Sequence, residues 1–242
     1  MSSNSFINKF ISNNKNFNLS KTNSNIVRLS ENIIDINPVP IYIKPEITDK
    51  ELINTEMEII ASYLKEENLY VNKNQDNNKE FGIFTSQNAY VPYNNILGME
   101  NMYIELIKQK IFQGINELIT TIYNYQGKYE YKILNSWIQK YRDGVFLSPH
   151  NHVSNNRIIN NVYTNHKVFS VGYYIDDGDP DISQSYSGVI SFLTTNNNLY
   201  HIRPKTGTLL IWEEYLIHLV NPFYSKSNKE RFILSTNILV EW

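Results

Sequence analysis

The stretch Tyr200-His201-Ile202-Arg203-Pro204-Lys205-Thr206-Gly207-Thr208-Leu209-Leu210-Ile211-Trp212 decides the fold class. Two short apolar runs, 200–203 and 208–212, flank the turn residues Lys205-Thr206-Gly207. Runs of that length bounded by turn signals read as strands. The same pattern continues on both sides, at 169–175, 188–192, 217–220 and 232–240. Turn residues at 176–181 and 225–228 separate these runs. Upstream, Tyr131, Ile133, Asn135, Trp137 and Gln139 alternate with Lys132, Leu134, Ser136 and Ile138, and Asp143-Gly144 marks a turn. Many short strands at such spacing predict a sandwich or jelly roll.

The first half of the chain reads differently. Residues 1–30 are polar and rich in Asn, and read either as flexible or as a short docking segment around Phe6, Ile7, Phe10 and Ile11. Residues 39–44 read as a strand, and Pro38 and Pro40 place it at a sheet edge. A helix is expected over 48–65, with Thr48 and Glu51 as a capping box and Ile53, Met57, Ile60 and Leu64 at helical spacing. A polar loop over 67–80 and a short strand over 81–84 follow. A longer helix over 100–123 carries the stripe Ile104, Ile107, Ile111, Ile115, Leu118 and Ile122, slightly weakened by Gly114. Both stripes read as core packing against a sheet. The chain thus divides into a polar segment (1–30), a helix-and-strand part packing on the barrel (31–128) and a β core (129–242).

Composition excludes several functions. The chain has 242 residues, a net charge of −2 and no cysteine. Disulfides, zinc–thiolate sites and thiol nucleophiles are therefore ruled out. Nothing in the charge points to nucleic acid or a membrane surface. Residues 1–20 lack the apolar run of a secretory signal, and no stretch is long and apolar enough to span a membrane, so an intracellular soluble protein is expected.

Chemistry concentrates in few residues. Of five histidines, His150 and His152 stand one residue apart. In an extended segment both imidazoles face one side, and His218, arriving on a later strand, would complete three ligands with open positions left over. Imidazole suits Fe, Zn, Cu or Ni alike. Arg231 opens the apolar strand 232–238 and reads either as a structural salt bridge or solvent-exposed strand-end arginine, or as a carboxylate clamp inside the barrel, since a buried guanidinium requires an anion. By alternation, Ile233, Ser235 and Asn237 share its face. His166 and His201 read as exposed or locally hydrogen-bonded, and Glu213-Glu214 as solvated.

In order along the chain come Trp137, then Pro149-His150-Asn151-His152, then Phe169-Ser170-Val171-Gly172-Tyr173-Tyr174-Ile175. Next are Ser187-Gly188-Val189-Ile190-Ser191-Phe192 and residues 202–212. His218-Leu219-Val220-Asn221-Pro222 and Arg231-Phe232-Ile233-Leu234-Ser235-Thr236-Asn237 close the series. This succession resembles the Fe(II)/2-oxoglutarate-dependent oxygenases, most of all the prolyl-hydroxylase-like and phage or bacterial branches. It covers about 105 residues. The resemblance implies a mainly β, double-stranded β-helix (a cupin-like jelly roll) with helices outside the larger sheet. It implies Fe(II) held by His150, His152 and His218, with 2-oxoglutarate as cosubstrate. Arg231 would pair with the distal carboxylate of that cosubstrate, and Tyr174 and Ser235 would hydrogen-bond it. The implied activity is an O2-dependent oxidation, commonly hydroxylation, with release of succinate and CO2, on a substrate the residues do not name.

Two departures stand out. His152 occupies the position where Asp is commonest, which makes the site one charge more positive and leaves open a three-histidine, cupin-like dioxygenase that needs no 2-oxoglutarate. A non-catalytic jelly roll is the other alternative. Asp143, Asp176 and Asp177 are carboxylates without the ligand spacing. The link 153–167 is long, and reads either as a lid at the mouth of the site or as an Asn-rich insertion.

Overall fold

A computed structural model describes residues 27–35, 39–66, 84–85, 95–153, 166–195 and 197–242. Two antiparallel sheets face each other, and two helices cover the outside of the larger one. Strands β1 (Val27–Arg28), β2 (Ile33–Asp35) and β3 (Pro40–Lys44) precede helix α1 (Lys50–Glu66). Strand β4 (Phe84–Thr85), a 3-10 turn (Ile96–Gly98) and helix α2 (Met102–Tyr123) follow. The remaining strands are β5 (Glu130–Tyr141), β6 (Leu147–His150), β7 (His166–Asp176), β8 (Ile190–Leu193), β9 (Leu199–Ile202), β10 (Leu209–Glu213), β11 (His218–Val220) and β12 (Arg231–Glu241). The large sheet runs β1-β2-β3-β10-β7-β12-β5-β4 and the small one β6-β11-β8-β9. This is the double-stranded β-helix expected from the sequence. Among the described residues no helix is long and apolar enough to cross a membrane.

Strand β12 is the spine. It pairs with β5 on one side and β7 on the other along nearly its whole length. Its alternation serves two cores. Leu234, Ile238 and Val240 join Ile104, Ile107, Ile111, Ile115 and Leu118 between the large sheet and the helices. Ile233 joins Tyr174, Ile190, Phe192, Leu210 and Trp212 between the two sheets. The α2 stripe is thus buried as expected, with Ile119 added and Ile122 only partly covered. Asn101 caps α2 by accepting from Tyr103 N at 2.8 Å and Ile104 N at 3.3 Å. In α1, Ile53, Met57 and Ile60 are buried, and the side chain of Leu64 lies outside those described.

Several sequence expectations are corrected. Strand β3 is not an edge: it lies between β2 and β10. Pro40 is tolerated because it opens the strand, and the pairing with β10 begins one residue on, at Ile41. Thr48 does not cap α1. Asp49 has φ 63° and so cannot be the first helical residue, and Thr48 Oγ1 accepts from Lys110 Nζ at 2.6 Å instead. Gly114 is a close-approach position rather than a weakness. A Cβ there would stand 2.7 Å from Ile211 Cδ1 and 2.9 Å from Tyr42 Cε1, so its absence lets α2 lie on β3 and β10. Glu213 is buried, not solvated. It accepts from Tyr123 Oη at 2.6 Å and pairs with Lys167 Nζ at 3.1 Å. The segment 1–26, the loop 67–80, residues 81–83 of the expected short strand and residues 154–165 of the long link lie outside the described residues.

Candidate metal centre

The small sheet brings two histidines together. Strands β6 and β11 are neighbours, and their register sets His150 directly opposite His218. His152 lies just past β6, where its backbone N–H donates to Glu214 O at 2.9 Å. That bond turns its ring toward the large sheet. The ring centroids are 5.3 Å (His150–His152), 4.3 Å (His150–His218) and 5.0 Å (His152–His218) apart. One nitrogen from each ring lies within 4.8 Å of the others. His218 is buried, and His150 and His152 are half-buried.

Hydrogen bonds fix which nitrogen is free. His150 Nδ1–H donates to Ser148 O at 2.7 Å, His218 Nδ1–H to Leu216 O at 3.0 Å and His152 Nδ1–H to Asn237 Oδ1 at 2.7 Å. Each acceptor selects the tautomer whose Nε2 carries the lone pair. Burial pushes all three imidazoles below their ordinary pKa, His152 to about 4 and His218 well down, so they are neutral ligands at pH 7. Three uncharged, tautomer-fixed imidazoles converging on one point match an Fe(II), Zn, Ni or Cu site with open positions.

Beside them, between the sheets, lies a small cavity. The three histidines line it together with Leu147, Tyr174, Ile190, Trp212, Ile233 and Ser235. Gly172 contributes bare backbone, and a Cβ there would occupy space beside Trp212 and Tyr174. Behind Tyr174 sits Arg231. It is 0% exposed, and its guanidinium lies 4.7 Å from the Tyr174 ring, 5.7 Å from Tyr141 and 6.0 Å from Phe223. Burial raises the Tyr174 phenol pKa, and the charge of Arg231 and its close approach to the hydroxyl work against that rise, yet among the described residues no guanidinium N–H meets an acceptor at good hydrogen-bond geometry. Each ring contributes about 0.5–2 kcal/mol of cation–π attraction. Desolvating a guanidinium costs several kcal/mol and leaves five donors unmet. The balance calls for an anion. The indole N–H groups of Trp137 and Trp212 are likewise buried with no acceptor among the described residues.

One polar lining residue is not singled out by the sequence. Gln139, on β5 beside β12, also lines the cavity. Its Oε1 accepts from Ser235 Oγ at 3.2 Å and Tyr141 Oη at 3.1 Å, which leaves its amide N–H groups for a ligand. Alternation on β5 put Gln139 in line with Trp137, but nothing local singles out its amide. The other histidines are as expected or unremarkable: His201 is half-buried with Nδ1 2.7 Å from Ser191 Oγ, and His166 opens β7. Asp143, Asp176 and Asp177 all serve turns, accepting from the backbone of Ser225, Gly178 and Asp179, so none completes the metal set.

With this geometry in view, the likeness to solved structures can be placed. A prolyl-4-hydroxylase from Pseudomonas putida superposes with TM-score 0.54 at 10% identity, covering 84% of this chain and 92% of that one. HygX from Streptomyces hygroscopicus, solved with nickel and 2-oxoglutarate bound, gives 0.52 at 10% identity over 82% of each chain. This is the fold of the 2-oxoglutarate/Fe(II) oxygenases. A prolyl hydroxylase from Trichoplax adhaerens, in complex with a hypoxia inducible factor oxygen degradation domain peptide fragment, gives 0.50 at 17% identity over 83% of each. No family model and no curated protein matches the chain. Within this fold the three histidines line the cavity, and the buried arginine lies behind the Tyr174 ring in its wall.

Proposed function

We propose that this protein is an Fe(II)- and 2-oxoglutarate-dependent oxygenase that hydroxylates a substrate with release of succinate and CO2. The observation that carries the reading is the buried, unpaired Arg231 behind a cavity lined by three neutral, tautomer-fixed imidazoles. A dicarboxylate keto acid suits both the imidazoles and the cation. His150, His152 and His218 would hold Fe(II) through Nε2. Fe(II), when bound, supplies the activation of O2 that is coupled to oxidation of the keto acid.

The chain's own residues then position and exclude. Arg231 supplies the counter-charge for the distal carboxylate. Tyr174 stays protonated and donates to it, and the Gln139 amide adds a donor that the Ser235 hydroxyl orients. Leu147, Ile190 and Ile233 keep water from the middle of the cavity, where an unpaired charge would otherwise be solvated. Arg231 also weighs against a three-histidine dioxygenase that binds only its substrate, because that reading gives the buried cation no partner. The reactants, a ferrous ion and a keto acid, set the reaction inside the cell.

The test is succinate release with Fe(II), 2-oxoglutarate and O2. Even without the native substrate, slow uncoupled turnover is expected from the wild type, falling to background in His218→Ala and Arg231→Ala. Iron binding that is absent in the wild type, or oxidation that proceeds equally well without 2-oxoglutarate, contradicts the reading.

A further inference from the structure

The third histidine is supported from the large sheet rather than from its own loop. His150 and His218 each donate Nδ1–H to a backbone carbonyl two residues away on their own segment. His152 instead reaches across to the side chain of Asn237, 85 residues later on β12, at 2.7 Å. Asn237 is 4% exposed and cannot turn over. Its Nδ2 donates to Asn135 Oδ1 at 2.9 Å, which leaves Oδ1 as the face presented to the imidazole. Ser170 Oγ, fully buried on β7, donates to the same Oδ1 at 2.9 Å and lies 3.1 Å from His152 Nδ1. Three neighbouring strands, β5, β12 and β7, thus contribute Asn135, Asn237 and Ser170 to one polar patch on the large sheet. Buried amides and hydroxyls of this kind are unfavourable in a pure core unless each one is satisfied, and here the network closes on a single imidazole.

We propose that Asn237 is a positioning residue that makes His152 a metal ligand, with Asn135 fixing the amide's orientation and Ser170 completing its acceptor shell. This rests on the reading of the three imidazoles as metal ligands. The amide is the residue that lets a histidine serve where a shorter, charged carboxylate would need no such support. It fixes the ring plane and tautomer while adding no charge, so the three-histidine set stays neutral.

The test measures metal binding by the full chain, independently of turnover. Cu(II) and Co(II) are titrated into wild type, Asn237→Leu, Asn237→Asp and Asn135→Ala, each shown to be folded by circular dichroism. Nitrogen hyperfine structure of the Cu(II) form counts bound imidazoles. Asn237→Leu is expected to bind Co(II) roughly 10- to 100-fold more weakly, the range typical for loss of a residue that orients a ligand, and to lose one imidazole from the Cu(II) spectrum. Asn237→Asp, which keeps the acceptor, is expected to retain three imidazoles and wild-type or tighter affinity. Asn135→Ala, which touches no imidazole, is expected to weaken binding several-fold by freeing the amide. If Asn237→Leu is folded and binds with three imidazoles at wild-type affinity, the proposal is overturned; should that variant fail to fold, unchanged affinity in Asn135→Ala overturns it. A wild type that binds neither metal overturns the metal-centre reading itself, a separate outcome.

Discussion

Arg231 holds its charge in a box of three aromatic rings, and among the described residues no acceptor meets its N–H groups at good geometry. Removing that charge should therefore help the ligand-free protein and harm only binding. Arg231→Met is expected to leave ligand-free stability unchanged or raised by about 1–4 kcal/mol in urea unfolding, as found when buried ionic groups give way to apolar ones. The same variant should lose the stabilisation that 2-oxoglutarate gives the metal-loaded wild type, about 2.7 kcal/mol at a hundredfold excess over Kd. The histidines give a second prediction. Their folded pKa values lie below the ordinary 6.5, His152 at about 4. Between those values the unfolded chain binds protons that the folded one refuses, so stability is full above pH 6.5 and falls as pH drops toward 4. Chelator-treated protein followed by thermal unfolding from pH 7.5 to 4 should show that decline, and a flat profile would contradict it. At this scale much was legible. The His-x-His pair, His218 and Arg231 stand out because such residues are rare and their spacing is chemical. Gln139 and Asn237 do not, because their roles depend on which hydroxyl or imidazole the opposing strand sets beside them.

Among the elements, most strands of the second half were readable to within one to three residues, since they are apolar runs between turn residues, whereas β6 (Leu147-Ser148-Pro149-His150) carries no apolar run and was not among the strands expected. The misreadings came where a tertiary contact outweighed a local preference. Pro40 suggested an edge strand, yet β3 is interior because the proline falls just before its pairing with β10 begins. Glu213 looked solvated, yet Tyr123 from α2 and Lys167 from β7 satisfy it inside the sheet. Gly114 tests the same idea. Helix propensity alone predicts that Gly114→Ala stabilises α2 by about 1 kcal/mol. The contacts of its missing Cβ with the buried Ile211 and Tyr42 predict overpacking of about 1–3 kcal/mol. A net loss is expected, read as a lower urea midpoint at unchanged slope; a higher midpoint would mean that the helix does not approach the sheet so closely.

Among the described residues two sheets face each other across a cavity, with helices on the outside of the larger sheet. The proposed site lies between sheets because the small sheet would supply His150 and His218, the loop after β6 His152, and the large sheet Arg231, Tyr174, Gln139 and Asn237. Neither sheet could form the site alone, and the jelly roll alternates the chain between them so that residues far apart in sequence meet. That order of motifs carried the fold in the sequence, while the cavity's size and the unmet donors around it needed the assembled sheets. The central claim is that the three imidazoles and Arg231 hold a metal and a dicarboxylate together. Anaerobic titration of 2-oxoglutarate into Fe(II)-loaded protein tests it most directly. The account predicts one equivalent bound, with a visible charge-transfer band from keto-acid chelation that is absent in His218→Ala and greatly weakened in Arg231→Ala. Wild-type protein that takes up Fe(II) but shows neither band nor heat on adding 2-oxoglutarate would contradict it.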